Sequence, residues 1–170
     1  MGNWLDIKKE AAFHEAGHAV MAYLATYHGL VAGIDLKDYG AGEIYVGLLK
    51  SKCVSAGVPA TAETAKLPEV AIDLGRVLVA GLLAELIAAE RDESLTPDPT
   101  CARPDHDLMR QQLMNAGLSK KFDRLELATR STLEENWSAV DELAEFLLIH
   151  KSADISQIEA IIGPKLSCNS

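Results

Sequence analysis

The 170-residue sequence predicts a mainly α-helical domain with a small β hairpin packed on its first helix. Three long segments have the periodicity or the continuous apolar character of helices, and a shorter one follows near the end. They span about Trp4–His28, Pro68–Arg91, Phe122–His150 and Ile155–Ile162. Strand character is confined to two short segments between the first two helices. No repeat or linker divides the sequence, so we treat residues 1–170 as one domain.

The first predicted helix carries the motif His14-Glu15-Ala16-Gly17-His18. Residues four apart share a helix face, so the two histidines can bind one metal ion. Glu15 lies beside that face, where it can take a proton from a metal-bound water. Zinc suits two imidazoles and a third ligand, with one position left open. The alternative is two surface histidines with a solvated glutamate. Apolar flanking residues argue against it, and Gly17, which costs a helix about 1 kcal/mol, predicts a close packing contact.

The segment after this helix is expected to form a hairpin. Gly29 should end the helix, and strands over Leu30–Leu36 and Glu43–Leu49 should be joined by a turn at Lys37–Gly42. If the second strand is an exposed edge beside the motif helix, an extended peptide could pair with it. The alternative is an ordinary hairpin that covers the helix. Ser51–Pro68 has little periodicity and is expected to be a mobile loop, able to act as a lid.

Glu85 is an unusual residue in the second predicted helix. It lies off the polar stripe of that helix and among apolar neighbours. A buried carboxylate needs a partner, so Glu85 could be a third metal ligand. It could also accept the free N–H of a ligating histidine. The alternative is a glutamate that reaches solvent where two helices cross.

Further candidate ligands follow the proline-rich loop Asp92–Pro104. A short helix that ends at Gly117 begins with Asp105, His106 and Asp107. Asp105 has the position of an N-cap and Asp107 that of a first-turn acid, where carboxylates interact favourably with the helix dipole. In a chain that already carries a two-histidine motif, the same residues are also candidate metal ligands.

Composition and charge exclude several functions. The net charge of −9 and a pI of about 5.0 leave no basic patch for nucleic acid or an anionic membrane. The longest apolar run, Val77–Ala89, is too short to span a bilayer and contains a glutamate. The first residues lack the pattern of a signal peptide. Three scattered cysteines do not suggest a disulfide framework and favour a reducing cytoplasm.

The order of these motifs resembles the peptidase domain of the FtsH family, membrane-anchored ATP-dependent zinc proteases (peptidase family M41). His14–Ala19 is identical to the family's His-Glu-Ala-Gly-His-Ala. Gly81–Leu86 is similar to its Gly-Arg-x-Ala-Glu-Glu, and His106–Leu108 to its Asn-Asp-Ile or Asn-Asp-Leu. Gly117–Ser119 is similar to its Gly-Met-Ser. The resemblance covers nearly the whole chain.

The resemblance implies a helical, zincin-like metalloprotease fold with a defined set of site residues. His14, His18 and Asp107 would bind zinc, Glu15 would be the general base, and Glu85 would support the ligands without binding metal. Leu82 and Leu86 depart from the family pattern, and the usual Ala-Thr after the ligand aspartate is absent. The sequence also has no Gly-x-x-x-x-Gly-Lys-Ser/Thr phosphate loop. We therefore expect any ATPase partner to act in trans.

The leading hypothesis is a cytoplasmic zinc endopeptidase that cleaves unfolded or flexible polypeptide, without ATP as an isolated chain. The first alternative is an inactive zinc-binding module, derived from such a protease, that holds a peptide or a partner protein. A metal hydrolase with a small substrate is a further alternative. A structural metal site is disfavoured because structural zinc usually has four strong ligands. Tyr23, Tyr27, His28 and His106 are the candidates for stabilising an oxyanion, and the oligomeric state is left open.

Overall fold

The computed structural model describes residues 4–36, 42–43 and 45–166. This part of the chain contains helices α1 Trp4–Leu24, α2 Lys50–Ser55, α3 Pro68–Arg91, α4 Arg103–Asn115, α5 Phe122–Glu135, α6 Trp137–His150 and α7 Ile155–Ile162. Its strands are β1 His28–Leu30, β2 Ile34–Leu36, β3 Gly42–Glu43, β4 Val46–Leu48 and β5 Ser152–Ala153. The prediction of a mainly α fold with a small β element is confirmed.

Helices α1 and α3 form the centre of the molecule. Helix α6 packs on α1, and α4 and α5 pack on α3. The facing surfaces of α1 and α3 are built largely from fully buried alanines. A Cβ at Gly17 would lie 2.5 Å from the Ala84 Cβ and 2.6 Å from the Ala80 carbonyl oxygen. The close contact predicted at Gly17 is confirmed, and it brings the histidine helix directly against the backbone of α3.

Helix α1 ends at Leu24, four residues before the predicted end at His28. Its last carbonyl groups are bound by the side chain of Lys52, which approaches from α2. The ammonium group donates to the carbonyl oxygens of Ala22 at 2.8 Å, Tyr23 at 3.1 Å and Ala25 at 2.7 Å. A cation at a helix C-terminus is favourable because it meets the negative end of the helix dipole.

Asp73 of α3 holds the chain just beyond the end of α1. Its carboxylate accepts the backbone N–H groups of Thr26, Tyr27 and His28 at 2.7–3.0 Å, and the Nδ1–H of His28 at 2.8 Å. The N–H groups that would continue a helix are therefore taken by α3. This is why residues 25–27 leave the helix and β1 begins at His28.

The strands form two small antiparallel sheets instead of the single predicted hairpin. β1 pairs with β4, with Gly29 opposite Gly47, while β2 lies between β3 and β5. The predicted strand Leu30–Leu36 is therefore split at residues 31–33. A Cβ at Gly33 would lie 2.3 Å from the Ala153 carbonyl oxygen, so β5 meets the chain closely at this break. The predicted turn at Lys37–Gly42 lies outside the described residues except for Gly42.

Two other predicted segments differ from the structure. Ser51–Pro68 is not a continuous loop, because most of α2 lies within it and buries Cys53 next to the Tyr27 carbonyl, in the turn between α1 and β1. Phe122–His150 is two helices, broken at Asn136, whose side-chain amide donates to the Thr132 carbonyl oxygen at 2.9 Å. The predicted bounds of α3 and α7 are confirmed, as is the end of α4 before Gly117, which has a φ of +74°.

Within the described ranges, no helix combines the length and the apolar character that a bilayer crossing requires. This agrees with the expectation from the short apolar runs of the sequence. Cys53 and Cys101 are both free thiols, the first buried and the second exposed. Cys168 lies outside the described residues.

Candidate metal centre

His14 and His18 of α1 direct their Nε2 atoms at each other, 3.0 Å apart. Each ring is held through its other nitrogen. The Nδ1 of His14 lies 2.5 Å from Oε1 of Glu85, and the Nδ1 of His18 lies 2.7 Å from the Val77 carbonyl oxygen. A carbonyl and a carboxylate accept hydrogen bonds, so both Nδ1 atoms carry the proton. The Nε2 lone pairs are therefore the free donors for a metal.

Asp105 completes this group. Its Oδ2 lies 3.4 Å from His18 Nε2 and 3.6 Å from His14 Nε2. The three side chains form a potential metal-binding cluster within the described part of the chain. Two helices supply it, because Asp105 lies in the first turn of α4.

Asp107, the predicted third ligand, lies elsewhere. It is exposed, and it is two residues from Asp105, which on a helix places the two side chains about 200° apart. The prediction that Asp105 is an N-cap is also corrected, since Ala102 has that position and α4 begins at Arg103. We therefore replace Asp107 with Asp105 as the candidate third ligand.

The three donor atoms have the spacing of a tetrahedral metal site. Zinc–ligand bonds of 2.0–2.1 Å at tetrahedral angles place neighbouring ligand atoms about 3.3 Å apart. The separations in the structure are 3.0, 3.4 and 3.6 Å. Two imidazoles and one carboxylate suit zinc and related divalent transition metals, and they leave one coordination position for another ligand.

Gly81 of α3 provides the space in which the two histidine rings meet. A Cβ at this position would lie 2.5 Å from His18 Nε2 and 2.6 Å from His14 Nε2. Any larger residue would displace both donor atoms. Sequence reasoning did not identify Gly81 as a site residue, although a glycine inside an apolar helix was an available signal because of its cost of about 1 kcal/mol.

Glu85 is buried, with 5% of its surface exposed, as the sequence predicted. It contacts the proton-bearing nitrogen of His14 and does not belong to the cluster of candidate ligands. Of the three interpretations of Glu85, the structure therefore supports the acceptor of a histidine N–H. Such an acceptor fixes the tautomer and the ring orientation of a ligating histidine.

Glu15 is also 5% exposed. Its Oε2 is buried and has no hydrogen-bond partner among the described residues. Burial raises the pKa of its carboxyl group, against the opposing effect of His18 and His14. A buried carboxylate oxygen beside the two histidines fits a general base that takes its proton from a water molecule in the site.

The charges of the cluster favour an added cation. Burial alone would lower the pKa of His14, but hydrogen bonds with Asp105 and Glu85 outweigh it and raise this pKa to about 10. Burial would raise the pKa of Asp105, but its bonds with His14 and His18 hold that pKa well below its ordinary value. One buried carboxylate, Glu85, and one partly buried carboxylate, Asp105, therefore stabilise a positive charge on the two imidazoles, which a proton or a metal ion can provide.

The loop before α4 is attached to the helix that carries the histidines. Lys9 of α1 forms an ion pair with Asp92, and the backbone N–H of Thr96 donates to the Glu10 carboxylate. Leu95, between these contacts, is buried in the core. Helix α1 thus holds residues 92–96, the first part of the segment that leads toward Asp105.

The candidates for oxyanion stabilisation differ in their surroundings. His28 is bound by Asp73, and Tyr23 is 38% exposed. His106 follows Asp105 directly, and its ring lies edge-on to Phe122 at 6.1 Å. Its Nε2 is buried without a hydrogen-bond partner in residues 4–36, 42–43 and 45–166, and burial lowers its pKa. Of the four candidates, His106 is the one that is adjacent in sequence to a member of the cluster, Asp105.

Neither the models of known protein families nor the curated proteins contain a match to this sequence. The geometry of the cluster and the chemistry of its residues are therefore the basis for inferring a function.

Proposed function

We propose that this chain is a zinc-dependent endopeptidase domain that cleaves unfolded or flexible polypeptide. His14, His18 and Asp105 bind the metal in this proposal. The observation that carries it is the convergence of two imidazole nitrogens and one carboxylate oxygen on a point in front of Gly81, at separations of 3.0–3.6 Å. Zinc, when bound, lowers the pKa of a water molecule to about 7 and polarises a peptide carbonyl.

Glu15 is the proposed general base. It accepts a proton from the attacking water and later returns it to the leaving amine. Burial suits Glu15 to this role, because a carboxyl group with a raised pKa binds and releases a proton closer to neutral pH. Glu85 and the Val77 carbonyl orient the two imidazoles by accepting their Nδ1–H groups, so that both Nε2 atoms face the metal position.

We extend the proposal to the family relationship. The identity of His14–Ala19 with the FtsH-type motif supports it, as does the position of Glu85 against His14. In this proposal the chain is a diverged peptidase domain of that type, located in the cytoplasm, with any ATPase acting in trans. The free thiols of Cys53 and Cys101 are compatible with a reducing compartment.

Glu15→Gln tests the catalytic part of the proposal. We expect it to reduce hydrolysis of a fluorescently labelled unfolded protein by about 10²–10⁴-fold, because general-base catalysis contributes that much. Zinc content, measured by elemental analysis, should stay near one ion per chain. Glu69→Gln, a matched change at an exposed residue of α3, should retain full activity.

Two outcomes would separate the proposal from its alternatives. Unchanged turnover in Glu15→Gln would contradict the mechanism. A native protein that binds one zinc but hydrolyses no peptide bond would support the alternative of an inactive zinc-binding module that holds a peptide or a partner protein.

A further inference from the structure

A second concave site lies between α1, α3 and α6. It is a cavity of about 380 Å³, which is within the range of small-ligand pockets. Phe13, Ala88 and Leu148 provide apolar surface, and Trp137 forms part of the wall. Phe13 and His14 are neighbours on α1 and therefore point about 100° apart, so this groove and the histidine cluster occupy different faces of the helix.

The aromatic wall of the groove already carries a cation. The guanidinium carbon of Arg91 lies 4.7 Å from the centroid of the Trp137 ring, and the Phe13 ring stacks on Trp137 at 5.7 Å with an interplanar angle of 11°. Cations are attracted to the face of an indole. Phe13 and Arg91 already occupy the ring, so the apolar surface beside them is left for the aliphatic stem of a long side chain, with its charged head directed away from Arg91.

Some charged side chains of the groove have a partner, and others do not. Lys9 is paired with Asp92, and Arg91 contacts the Trp137 ring. Asp141 and Glu145, one turn apart on α6, also line the groove. Neither forms a hydrogen bond or an ion pair with any residue that the structure describes. Two unpaired carboxylates next to an apolar floor are the complement of a cation on an aliphatic stem.

We propose that this groove binds an arginine or lysine side chain of a flexible polypeptide. The methylene stem lies on the apolar floor, and the charged head is shared by Asp141 and Glu145. An anionic ligand is disfavoured by these carboxylates, and a purely apolar ligand would leave them unmatched. The net charge of −9 adds a general attraction for basic segments. The groove needs neither the metal nor Glu15, so its binding is independent of the proposed hydrolysis.

The test uses Trp137 as the reporter. The chain has a second tryptophan, Trp4, so the full-length protein carries Trp4→Phe as its background change. The probes are capped peptides of glycine and serine that contain two arginines, two lysines or two glutamates. We expect saturable changes in Trp137 emission with the arginine and lysine peptides only. The affinity should fall as salt concentration rises.

Charge-neutral variants test the two carboxylates. Asp141→Asn with Glu145→Gln should weaken binding of the arginine peptide about five- to tenfold, as expected for two exposed charge pairs. Each single variant should weaken it about two- to threefold. The matched control is Glu142→Gln on the same helix, because Glu142 is paired with Lys165 and does not line the groove. The affinity of the Glu142→Gln protein for the arginine peptide should equal that of the parent.

The proposal is overturned by any of three results. The first is the absence of a saturable change in Trp137 emission with the arginine peptide. The second is binding of the glutamate peptide with the same affinity as the arginine peptide. The third is an affinity of the double variant for the arginine peptide that equals the affinity of the parent. The Glu15→Gln protein should bind the arginine peptide as the parent does, whether or not the parent cleaves protein. Absence of hydrolysis in the parent would therefore not contradict binding of the arginine peptide. Absence of binding would likewise not contradict the proposed hydrolysis.

Discussion

At the scale of single residues, Asp105 is the side chain that joins α4 to the two histidines. It provides the only carboxylate oxygen found in the candidate ligand cluster of the described residues. Without it, His14 and His18 would remain as a two-ligand site, which is weak for zinc. Asp107 has the same chemistry and lies in the same helix, but it is exposed and does not belong to the cluster. The two aspartates therefore form a matched pair for testing the ligand assignment.

We predict that Asp105→Ala lowers zinc affinity by more than about 100-fold, while Asp107→Ala changes it less than about threefold. Loss of a residue that only supports a ligand already costs 10–100-fold, so loss of a ligand should cost more. Competition with a chromophoric chelator at constant pH measures both affinities. A larger loss in Asp107→Ala than in Asp105→Ala would return the assignment to Asp107.

At the scale of helices, the contact between α1 and α3 sets the geometry of the site. Gly17 lets the backbones approach, and Gly81 leaves room for the two Nε2 atoms. An alanine is intrinsically more favourable than a glycine in a helix, by about 1 kcal/mol. Glycine at position 81 therefore makes α3 intrinsically less stable than alanine would, but it leaves space for the histidine rings. Such local departures from the most stable residue are common at functional sites.

Gly81→Ala should reduce zinc affinity by at least tenfold, because its Cβ would displace both histidine rings. Gly75→Ala is the matched control in the same helix, since its Cβ would meet the side chains of Leu125 and Met109 and none of the three donor residues. Zinc titration and thermal unfolding of both variants separate loss of the site from loss of the fold. Zinc affinity in Gly81→Ala equal to that of the native protein would refute this role.

The elements that sequence reasoning placed correctly are those with their own signals. Helix α3 has a proline at its start and a long apolar face, and its predicted bounds are confirmed. The end of α1 was misplaced because Lys52 and Asp73, which bind the groups at that end, come from distant segments. A periodicity argument contains no information about such tertiary contacts.

The candidate site was also predicted only in part from the sequence. The spacing of His14 and His18 indicated a shared metal, and the structure brings their nitrogens together. The choice between Asp105 and Asp107 depends on the phase of α4, and that phase depends on the residue at which α4 begins. Two acids two residues apart could not be distinguished without the packing of α4 against α3.

At the scale of the whole molecule, Asp73 connects α3 to the turn between α1 and β1. Burial would raise the pKa of its carboxyl group, but hydrogen bonds from His28 and from three backbone N–H groups lower it below the ordinary value. A lowered pKa in the folded state means that the ionised form stabilises the fold. This contribution is fully present above the ordinary pKa of about 4 and is lost as pH falls through the folded-state pKa.

We therefore predict that Asp73→Asn lowers the free energy of unfolding by about 1.5–3 kcal/mol at pH 7, the usual value for hydrogen bonds to a charged group. The difference from the native protein should shrink as pH is lowered below about 4. Urea unfolding of the metal-free proteins at several pH values measures this. Asp107→Asn, an exposed control, should leave the free energy of unfolding nearly unchanged. A difference that stays constant with pH would argue against a charged Asp73.

The attachment of the loop 92–102 to α1 has a consequence for assembly. The helix that carries two of the donor atoms also holds, through Lys9 and Glu10, the segment that delivers the third. All three donors thus come from one polypeptide and are brought together by its own folding. Bringing the three donor atoms together therefore involves no loss of association entropy. A single chain at high dilution contains the same three donors as a chain at high concentration.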